Sequence, residues 1–141
     1  MKIEIFLKEH IEKMAIQERQ KGLEYLETDE HFKWLEGNHS YSVIDGEEVL
    51  LCAGVVEMSE GRGIAWAYLS SDIGTRMTYV TRAVKRFLKL SPLRRIEMHV
   101  DCGFDAAHRW ARMLGFEMEC ERMRSFTPDN RDCALYAMVK L

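Results

Sequence analysis

Two side chains with acid–base chemistry lie in or next to strand-like segments of this chain. Glu57 follows an apolar run, and its carboxylate can accept a proton. His99 alternates with Met98 and Val100, which places its imidazole on the opposite face of a strand. An imidazole with its ordinary pKa of about 6.5 transfers protons near neutral pH. Glu57 is therefore our first candidate for a general base and His99 our second; the alternative for both is a solvated turn or strand face.

Other reactive side chains have less distinctive surroundings. Tyr136, in the last apolar segment, is a candidate proton donor, although a tyrosine there also fits simple packing. Cys102 follows a strand, but no base stands at a fixed spacing that would activate it as a nucleophile. The four cysteines and five histidines lack the spacing of metal ligands, so we predict no metal site. Cysteines in strands are expected to be small buried hydrophobes.

A glycine lies where an apolar strand, Ile64–Leu69, gives way to a long amphipathic helix. The connecting residues 71–76 read Ser-Asp-Ile-Gly-Thr-Arg. The first N–H groups of a helix lack intrahelical partners and lie at the positive end of its dipole, so they bind phosphate. Arg76 would either donate to such a phosphate or fill the site, and Asp72 would repel it if it pointed inward.

The N-terminal third is predicted to contain a strand and two helices. Residues 2–6 alternate and indicate a short edge strand. Helical spacing from Lys8 to Lys21 places four apolar residues on one face, with Gly22 as the stop; these are Leu7, Ile11, Met14 and Ala15. Thr28 is a suitable N-cap for a brief helix that ends at Gly37 and carries Phe32 and Leu35.

A hairpin follows, and a third strand extends it into a meander. Asp45-Gly46 separates the strands Tyr41–Ile44 and Glu48–Val56 and supplies the positive φ angles of a two-residue type I′ turn. The loop 59–63 then returns the chain into Ile64–Leu69. We therefore expect three antiparallel strands in sequence.

The C-terminal half alternates helices and strands. The predicted elements are the helix Thr75–Leu90, the strand Arg95–Asp101, the helix Asp105–Leu114, the strand Phe116–Glu121 and the strand Cys133–Val139. Helical spacing buries Ala107, Trp110, Ala111 and Leu114 and leaves Asp105, His108, Arg109 and Arg112 outside. All three tryptophans, Trp34, Trp66 and Trp110, are expected to be packing residues.

This order of elements resembles that of the acetyl-CoA-dependent N-acetyltransferases of the GNAT superfamily over nearly all 141 residues. The family's C-terminal signature is Asn-x-x-Ala-x-x-Leu-Tyr-x-x-x-Gly-Phe. This chain matches it at Ala107 and Gly115-Phe116, with Trp110 at the Leu position and Phe104 in place of Asn. Ala111 stands where the family has the tyrosine that protonates the departing thiolate. In the phosphate-turn signature, Gln/Arg-x-x-Gly-x-Gly/Ala, only Gly74 matches.

The resemblance implies a mixed α/β fold, with a mostly antiparallel sheet of six to seven strands and helices on both faces. Strands Ile64–Leu69 and Arg95–Asp101 would be parallel neighbours that splay apart around acetyl-CoA. The pantetheine would pair with a strand edge and the pyrophosphate with N–H groups of the turn. The implied cofactor-binding residues are Leu69, Ser70, Ser71, Ile73, Gly74, Thr75, Arg76 and Met77.

Short matches also make the chain similar to divergent GNAT-like proteins of tailed phages, including internal virion proteins. The matching residues are Trp66, Ser71-Asp72, Arg109-Trp110, the polar turn 127–132 and Leu135-Tyr136. Two functions follow from the resemblance. One is an N-acyltransferase that moves an acetyl group from acetyl-CoA to an amine of a protein or small molecule. The alternative is a non-catalytic virion or host-interaction protein.

Composition sets outer limits on these functions. One domain, 1–141, is expected, and a net charge of −3 does not favour bulk nucleic-acid binding. No apolar run reaches the ~20 residues of a membrane span, and the first residues are not a signal peptide, so we predict a cytoplasmic protein, or a virion protein if phage-encoded. Six clustered cations would attract the 3′-phosphate of CoA or an acidic partner, or form a solvated face; they are Arg82, Lys85, Arg86, Lys89, Arg94 and Arg95.

Overall fold

The computed structural model describes residues 1–14, 29–36 and 39–141 of the chain. The strands are β1 (Lys2–Ile5), β2 (Ser40–Asp45), β3 (Glu48–Ser59), β4 (Arg62–Leu69), β5 (Arg95–Asp101), β6 (Glu117–Met123) and β7 (Cys133–Val139). The helices are α1 (Lys8–Lys13), α2 (Asp29–Leu35), α3 (Met77–Leu90) and α4 (Asp105–Leu114), and a 3-10 turn, Gly74–Arg76, precedes α3. No helix in this part of the chain is long and apolar enough to cross a membrane.

Seven strands form one sheet in the order β1-β2-β3-β4-β5-β7-β6. The pairs β1/β2, β2/β3, β5/β7 and β6/β7 are antiparallel. In contrast, β4 and β5 are parallel neighbours, paired from Arg62↔Arg95 to Ile64↔Glu97. The predicted mixed α/β fold with a mostly antiparallel sheet is confirmed, and so is the parallel pairing of the strands on either side of α3.

The chain divides into two compact units, residues 1–56 with 65–83 and residues 57–64 with 84–141. The expectation of one domain stays a prediction. In the first unit, apolar side chains of α1 and α2 pack against β2, β3 and β4; the buried cluster is Phe6, Ile11, Met14, Phe32, Leu35, Ile44, Val49, Cys52 and Tyr68. Trp66 packs against this cluster, with its ring centroid 5.2 Å from that of Phe6. The burial of Phe32 and Leu35 matches the predicted brief helix.

The first helix is shorter than its periodicity predicts. Met14, directly after α1, has an extended ψ of 138°, so a continuous helix from Lys8 to Lys21 is wrong. Ile11 and Met14 are buried, whereas Leu7 is exposed because it is the N-cap residue. His10 fixes this helix start, since its Nδ1 accepts the N–H of Leu7 at 3.1 Å. The predicted stop at Gly22, the cap Thr28 and the end at Gly37 lie outside the described residues.

The β2–β3 hairpin forms as predicted, but its turn lies one residue later. Asp45 pairs with Glu48, which leaves Gly46 and Glu47 as the two-residue loop. Gly46 has φ +64°, while Glu47 is not among the described residues with positive φ. Positive φ at the first central position alone is typical of a type II′ turn, with glycine at that position, and not of type I′.

Helix α4 has the predicted bounds and ends in a Schellman motif. Gly115 has φ +102°, its N–H bonds to the carbonyl of Arg112, and the N–H of Phe116 bonds to the carbonyl of Ala111 at 3.0 Å. Only a left-handed residue allows these two bonds together, which explains the Gly-Phe pair. Trp110, Ala111 and Leu114 are buried as predicted, and Ala107 is half-buried. His108 is also half-buried, so placing it outside was wrong.

A cation from the last residues caps the end of α3. The Lys140 ammonium donates to the carbonyls of Leu88 at 2.6 Å, Lys89 at 3.3 Å and Ser91. The last carbonyls of a helix lack intrahelical donors and lie at the negative end of the dipole, so a lysine is favourable there. About fifty residues separate Lys140 from the end of α3, so the local spacing of residues does not predict this cap.

Two apolar residues of the described chain lie partly at the surface. Trp34 is 51% exposed, so about half of it is covered, which the expectation of a core or half-buried packing residue allows. Met118 is 41% exposed because β6 is the last strand of the sheet and has a neighbour on one side only. Apolar alternation in β6 therefore does not translate into burial.

We expect Trp110→Ala to lower the free energy of unfolding by about 3–5 kcal/mol, because the ring is 8% exposed and its loss leaves a cavity. Urea denaturation followed by circular dichroism measures this change. Met113→Ala in the same helix is the control, because Met113 is 59% exposed and should change stability by less than about 0.5 kcal/mol. Equal effects of the two substitutions would contradict the burial of Trp110.

Candidate active site

The turn between β4 and α3 is built from small polar residues and one buried apolar anchor. The N–H of Ser70 donates to the carbonyl of Leu50 at 2.9 Å, and the Ser70 hydroxyl accepts the N–H of Asp72 at 3.1 Å. Leu69 and Ile73 are each 7% exposed, so they anchor the two ends of the turn within the first unit. The side chains of Ser71 and Asp72 are exposed.

Three consecutive N–H groups in this turn, those of Ile73, Gly74 and Thr75, have no hydrogen-bond partner among the described residues. The next two N–H groups are used internally: Arg76 donates to Ile73 at 3.1 Å, and Met77 donates to Gly74. Gly74 has φ +54°, and a Cβ built there would meet no atom within 4 Å. The backbone therefore presents free donors next to open space, which fits an anionic group such as a pyrophosphate.

Arg76 braces this turn. Its Nη1 and Nη2 donate to the two Glu48 oxygens at 2.6 and 3.0 Å, and Nη1 also donates to Asp45 at 3.1 Å. The remaining donors reach the carbonyls of Ile73 and Asp72 at 3.2 and 2.6 Å. The hydrogen bonds that Arg76 donates to Glu48 and then to Asp45 raise its pKa. All five guanidinium N–H groups are thus engaged, and a phosphate would reach Arg76 only by displacing a carboxylate.

In the second unit, His108 is fully hydrogen-bonded to its surroundings. Its Nδ1 lies 2.7 Å from the Tyr136 hydroxyl, and its Nε2 lies 3.2 Å from the carbonyl of Cys102. The carbonyl only accepts, so Nε2 carries the proton and Nδ1 accepts from Tyr136. Tyr136 is 0% exposed. Its hydroxyl proton is therefore committed to an internal partner.

His99, in β5, is half-buried and lacks such partners. Neither ring nitrogen has a hydrogen bond within the described part of the chain, and neither is a fully buried atom without a partner. Burial lowers the pKa of His99; the Glu97 carboxylate opposes this change, and the Arg62 guanidinium adds to it. The imidazole is thus neutral near pH 7, with a nitrogen that can accept a proton.

Glu57 lies within β3, which continues to Ser59. Its side chain is exposed, and its Oε1 accepts the N–H of Gly61 at 2.9 Å in the β3–β4 turn. Glu57 and His99 both belong to the second unit, but the structure records no contact between them. Neither role in catalysis is tested, so both stay predictions.

A buried carboxylate that the alternation pattern missed lies at the start of β5. Glu97 is 6% exposed, and its oxygens accept from Arg62 Nε at 2.7 Å, Arg62 Nη2 at 3.0 Å and Arg95 Nε at 2.7 Å. These hydrogen bonds, that of Arg62 foremost, lower the pKa of Glu97 to about 2. Arg95 also donates to both oxygens of Glu119 on β6. In the sequence, only the spacing of two between Arg95 and Glu97 pointed to part of this cluster, because Arg62 comes from another strand.

The cysteines show no sign of nucleophilic chemistry. Cys52 and Cys133 are buried, and burial raises their pKa values to about 12 and about 11. The Cys102 thiol lies 3.5 Å from the carbonyl of Glu121. Among residues 1–14, 29–36 and 39–141, no group of three or more His, Cys, Asp or Glu side chains is arranged to hold a metal ion.

The predicted basic stripe is partly engaged in internal contacts. Arg94 donates to the carbonyl of Glu60, and Arg95 belongs to the Glu97 cluster. The four cations on α3 are exposed; they are Arg82, Lys85, Arg86 and Lys89. Four residues of the stripe therefore remain on the helix surface.

Solved N-acetyltransferases superimpose on the chain over almost its whole length. A probable acetyltransferase from Staphylococcus epidermidis matches with a TM-score of 0.77 at 11% identity, covering 99% of each chain. A ribosomal-protein-alanine N-acetyltransferase from Brucella melitensis matches with a TM-score of 0.73 at 14% identity, covering 99% of this chain and 100% of its own. The fold is the GNAT fold. The chain is also similar to a mutant spermidine N-acetyltransferase from Vibrio cholerae, at 11% identity, a TM-score of 0.69 and coverage of 99% and 95%.

Sequence comparison adds no family to this structural likeness. Neither the protein-family models nor the curated proteins give a match to the chain. Identities of 11–14% show a shared GNAT fold and leave the chemistry to the residues of this chain.

We expect Glu97→Gln to lower the free energy of unfolding at pH 7 by about 1.5–3 kcal/mol, because two guanidinium groups lose a charged acceptor. The folded-state pKa of Glu97, about 2, lies below its ordinary value of 4.5. The stabilisation is therefore complete above about pH 4.5 and is lost as the pH falls through about 2.

Urea denaturation at several pH values from 7 down to 2.5 measures this dependence, and the wild-type and Glu97→Gln stabilities should converge as the pH falls. Glu117→Gln, at an exposed β6 residue, is the matched control and should change stability little at any pH. A difference between Glu97→Gln and wild type that is the same at both ends of the range would contradict the charged pairing.

Proposed function

We propose that this chain is an N-acyltransferase that moves an acetyl group from acetyl-CoA to an amine. The observation that carries the proposal is the open turn around Gly74, in which three N–H donors stand without partners directly before α3. In a GNAT fold this turn follows the strand that parallels β5, where the resemblance puts the pyrophosphate.

The residues of the turn fit such a group in most respects. Free donors at Ile73, Gly74 and Thr75 would bind the pyrophosphate, while Leu69 and Ser70 hold the strand end that precedes them. Ser71 and Met77 flank the turn, and Arg76 keeps it in shape through Asp45 and Glu48. When bound, acetyl-CoA supplies an activated acyl group.

An amine attacks as the free base, so a group of the protein or a water molecule must take its proton. His99 suits this role, because its imidazole is neutral near pH 7 and its nitrogens are free of internal partners. Glu57 is the second candidate, since one of its carboxylate oxygens already accepts the N–H of Gly61. We therefore reverse the order predicted from the sequence, in which Glu57 came first, and propose His99 as the principal base and Glu57 as the alternative.

A second candidate function is a GNAT-fold binding protein without catalysis, as in a virion or host-interaction protein. The observation that favours it concerns the proton donor. Ala111 occupies the family's tyrosine position and is 0% exposed, and the buried Tyr136 hydroxyl is committed to His108. Detectable acetyl transfer to any amine argues for the enzyme, whereas CoA binding without transfer argues for the binding protein.

The acceptor is proposed only as an amine of a protein or a small molecule. The names of similar structures include both kinds, a ribosomal-protein alanine and spermidine. A shared fold therefore does not select between them.

We expect Gly74→Ala to weaken acetyl-CoA binding by about 10-fold or more, because a Cβ would project into the space that a phosphate needs and disturb charge-assisted hydrogen bonds. Isothermal titration calorimetry with acetyl-CoA and with CoA measures the dissociation constant. Absence of binding heat with wild-type protein at millimolar ligand would contradict the cofactor assignment.

Gly46→Ala is a matched control for this substitution. Gly46 and Gly74 have φ of +64° and +54°, and a Cβ at either would meet nothing within 4 Å. Both substitutions should therefore cost a similar ~1–2 kcal/mol of stability from the left-handed backbone. Only Gly74→Ala should lose affinity for acetyl-CoA. If Gly74→Ala and Gly46→Ala both bind acetyl-CoA as tightly as wild type, the pyrophosphate binds elsewhere.

We expect His99→Gln to lower kcat by about 10²–10⁴ while the affinity for acetyl-CoA stays unchanged, because the proton acceptor is lost without a change in the turn. In wild type, kcat/KM should fall as the pH drops through the lowered pKa of His99, below about 6.5. A rate–pH profile of both proteins measures this acidic limb, which His99→Gln should remove. A large loss in Glu57→Gln, with a normal His99→Gln, would assign the base to Glu57 instead.

A further inference from the structure

The imidazole of His99 is oriented by a ring contact and not by hydrogen bonds. The ring of Phe126 meets it edge to face, with 4.7 Å between the centroids and 62° between the planes. Within residues 1–14, 29–36 and 39–141, His99 has no hydrogen bond, in contrast to His10 and His108, whose rings are bonded to serine, tyrosine or backbone groups. An edge-to-face aromatic pair has a preferred geometry, so it can hold a ring that nothing else holds.

The segment that carries Phe126 is fastened to the end of β5, two residues beyond His99. The N–H of Cys102 donates to the carbonyl of Asp132 at 3.0 Å, and Arg131 donates to Asp101 at 3.3 Å. These two bonds join the end of the segment 124–132, which links β6 to β7, to the end of the strand that bears the histidine. The segment that carries Phe126 is therefore anchored to β5 at residues 131 and 132.

Hydrogen bonds inside the segment set the direction of Phe126. Its own N–H donates to the carbonyl of Arg131 at 2.9 Å, and the N–H of Ser125 donates to Asp132 at 2.7 Å. Ser125 and Asn130 have positive φ, 51° and 64°, and their side chains bond to each other at 2.8 Å. The short-range network leaves the aromatic ring as the apolar member of an otherwise polar turn.

The charged groups near His99 do not substitute for this contact. Glu97 lies two residues earlier on the same face of β5, but its oxygens are engaged by Arg62 and Arg95. On the other side, Asp101 is engaged by Arg131. The cross-strand neighbour Leu135 is apolar, and beyond it on β6 lies Cys120, which pairs with Leu135. The titratable and charged groups on this face are therefore Arg62, Arg95, Glu97, Asp101, Glu119, Cys120 and Arg131.

We propose that Phe126 is a positioning residue for His99: its ring fixes the plane of the imidazole and shields it from water, while the ring nitrogens stay free to take a proton. Loss of this cover would let water solvate the charged imidazolium, which burial otherwise disfavours. The catalytic consequence rests on the proposed function, in which His99 is the base. The shielding of His99 by Phe126 does not depend on that function.

Imidazole NMR tests the shielding without any substrate. We expect the His99 pKa to rise in Phe126→Ala toward its ordinary value of about 6.5, and to stay at the wild-type value in Phe126→Tyr, which keeps the ring. Met118→Ala is the matched control, because Met118 is 41% exposed, close to the 44% of Phe126, and pairs with Tyr136, whereas His99 pairs with Leu135. The same His99 pKa in Phe126→Ala and wild type overturns the proposal. Should Phe126→Ala fail to fold, Phe126→Leu takes its place with the same expected direction.

Kinetics test the consequence for transfer. In Phe126→Ala we expect kcat to fall by about 10-fold, less than the ~10²–10⁴ for removal of a base, with KM for acetyl-CoA unchanged. The acidic limb of the rate–pH profile should move to higher pH together with the NMR pKa, and Phe126→Tyr should restore both. A fall in kcat without movement of the limb overturns the proposal, since a merely structural role gives that result. If wild type transfers no acetyl group, the proposed function fails, and the NMR comparison alone decides the shielding.

Discussion

One buried carboxylate, that of Glu97, bonds to two arginines at the start of the β4–β5 pair. Arg62 and Arg95 are direct neighbours in the parallel register, and two like charges side by side would oppose that pairing. Glu97, two residues along β5, accepts hydrogen bonds from both guanidinium groups while almost fully buried. Breaking such a group is costly because it leaves unpaired charge behind. The one parallel pair described in the sheet is therefore held at its start by an Arg–Glu–Arg cluster.

The same cluster shapes the surroundings of the candidate base. The Glu97 oxygens accept hydrogen bonds from Arg62 and Arg95, so they are not available as acceptors for His99. The imidazole then stays neutral, since burial lowers its pKa more than the nearby carboxylate raises it. His108 shows the opposite arrangement, with both nitrogens satisfied by Tyr136 and Cys102. Two histidines of one unit thus have different chemistry because of their neighbours.

In the turn before α3 as well, some polar groups are engaged internally and others are free. The backbone donors of Ile73, Gly74 and Thr75 remain free, while the arginine two residues after the glycine is fully engaged by carboxylates. Arg76 does not bind the phosphate in our proposal; its side chain sets the shape of the backbone surface that does. Backbone donors are fixed in place by the fold, so they can bind an anion with little reorganisation.

The sequence by itself determined the features that depend on residues close together in the chain. Helical spacing of three and four residues predicted the bounds of α4, and strand spacing of two predicted those of β7. The end of α4 at Gly115 followed from the left-handed φ that glycine adopts. The order of elements was enough to predict the GNAT fold. It also placed Gly74 at a strand-to-helix turn, because a turn is a local structure.

Only the tertiary structure decided which polar side chains find partners. The alternation in β5 predicted one buried face and one solvated face, yet Glu97 on the second face is buried because Arg62 arrives from another strand. The partners of Arg76 lie about thirty residues away, and Phe126 reaches His99 from a turn in another part of the sequence. Periodicity reports the face on which a side chain lies, whereas burial, pairing and pKa depend on what the rest of the chain brings to that face.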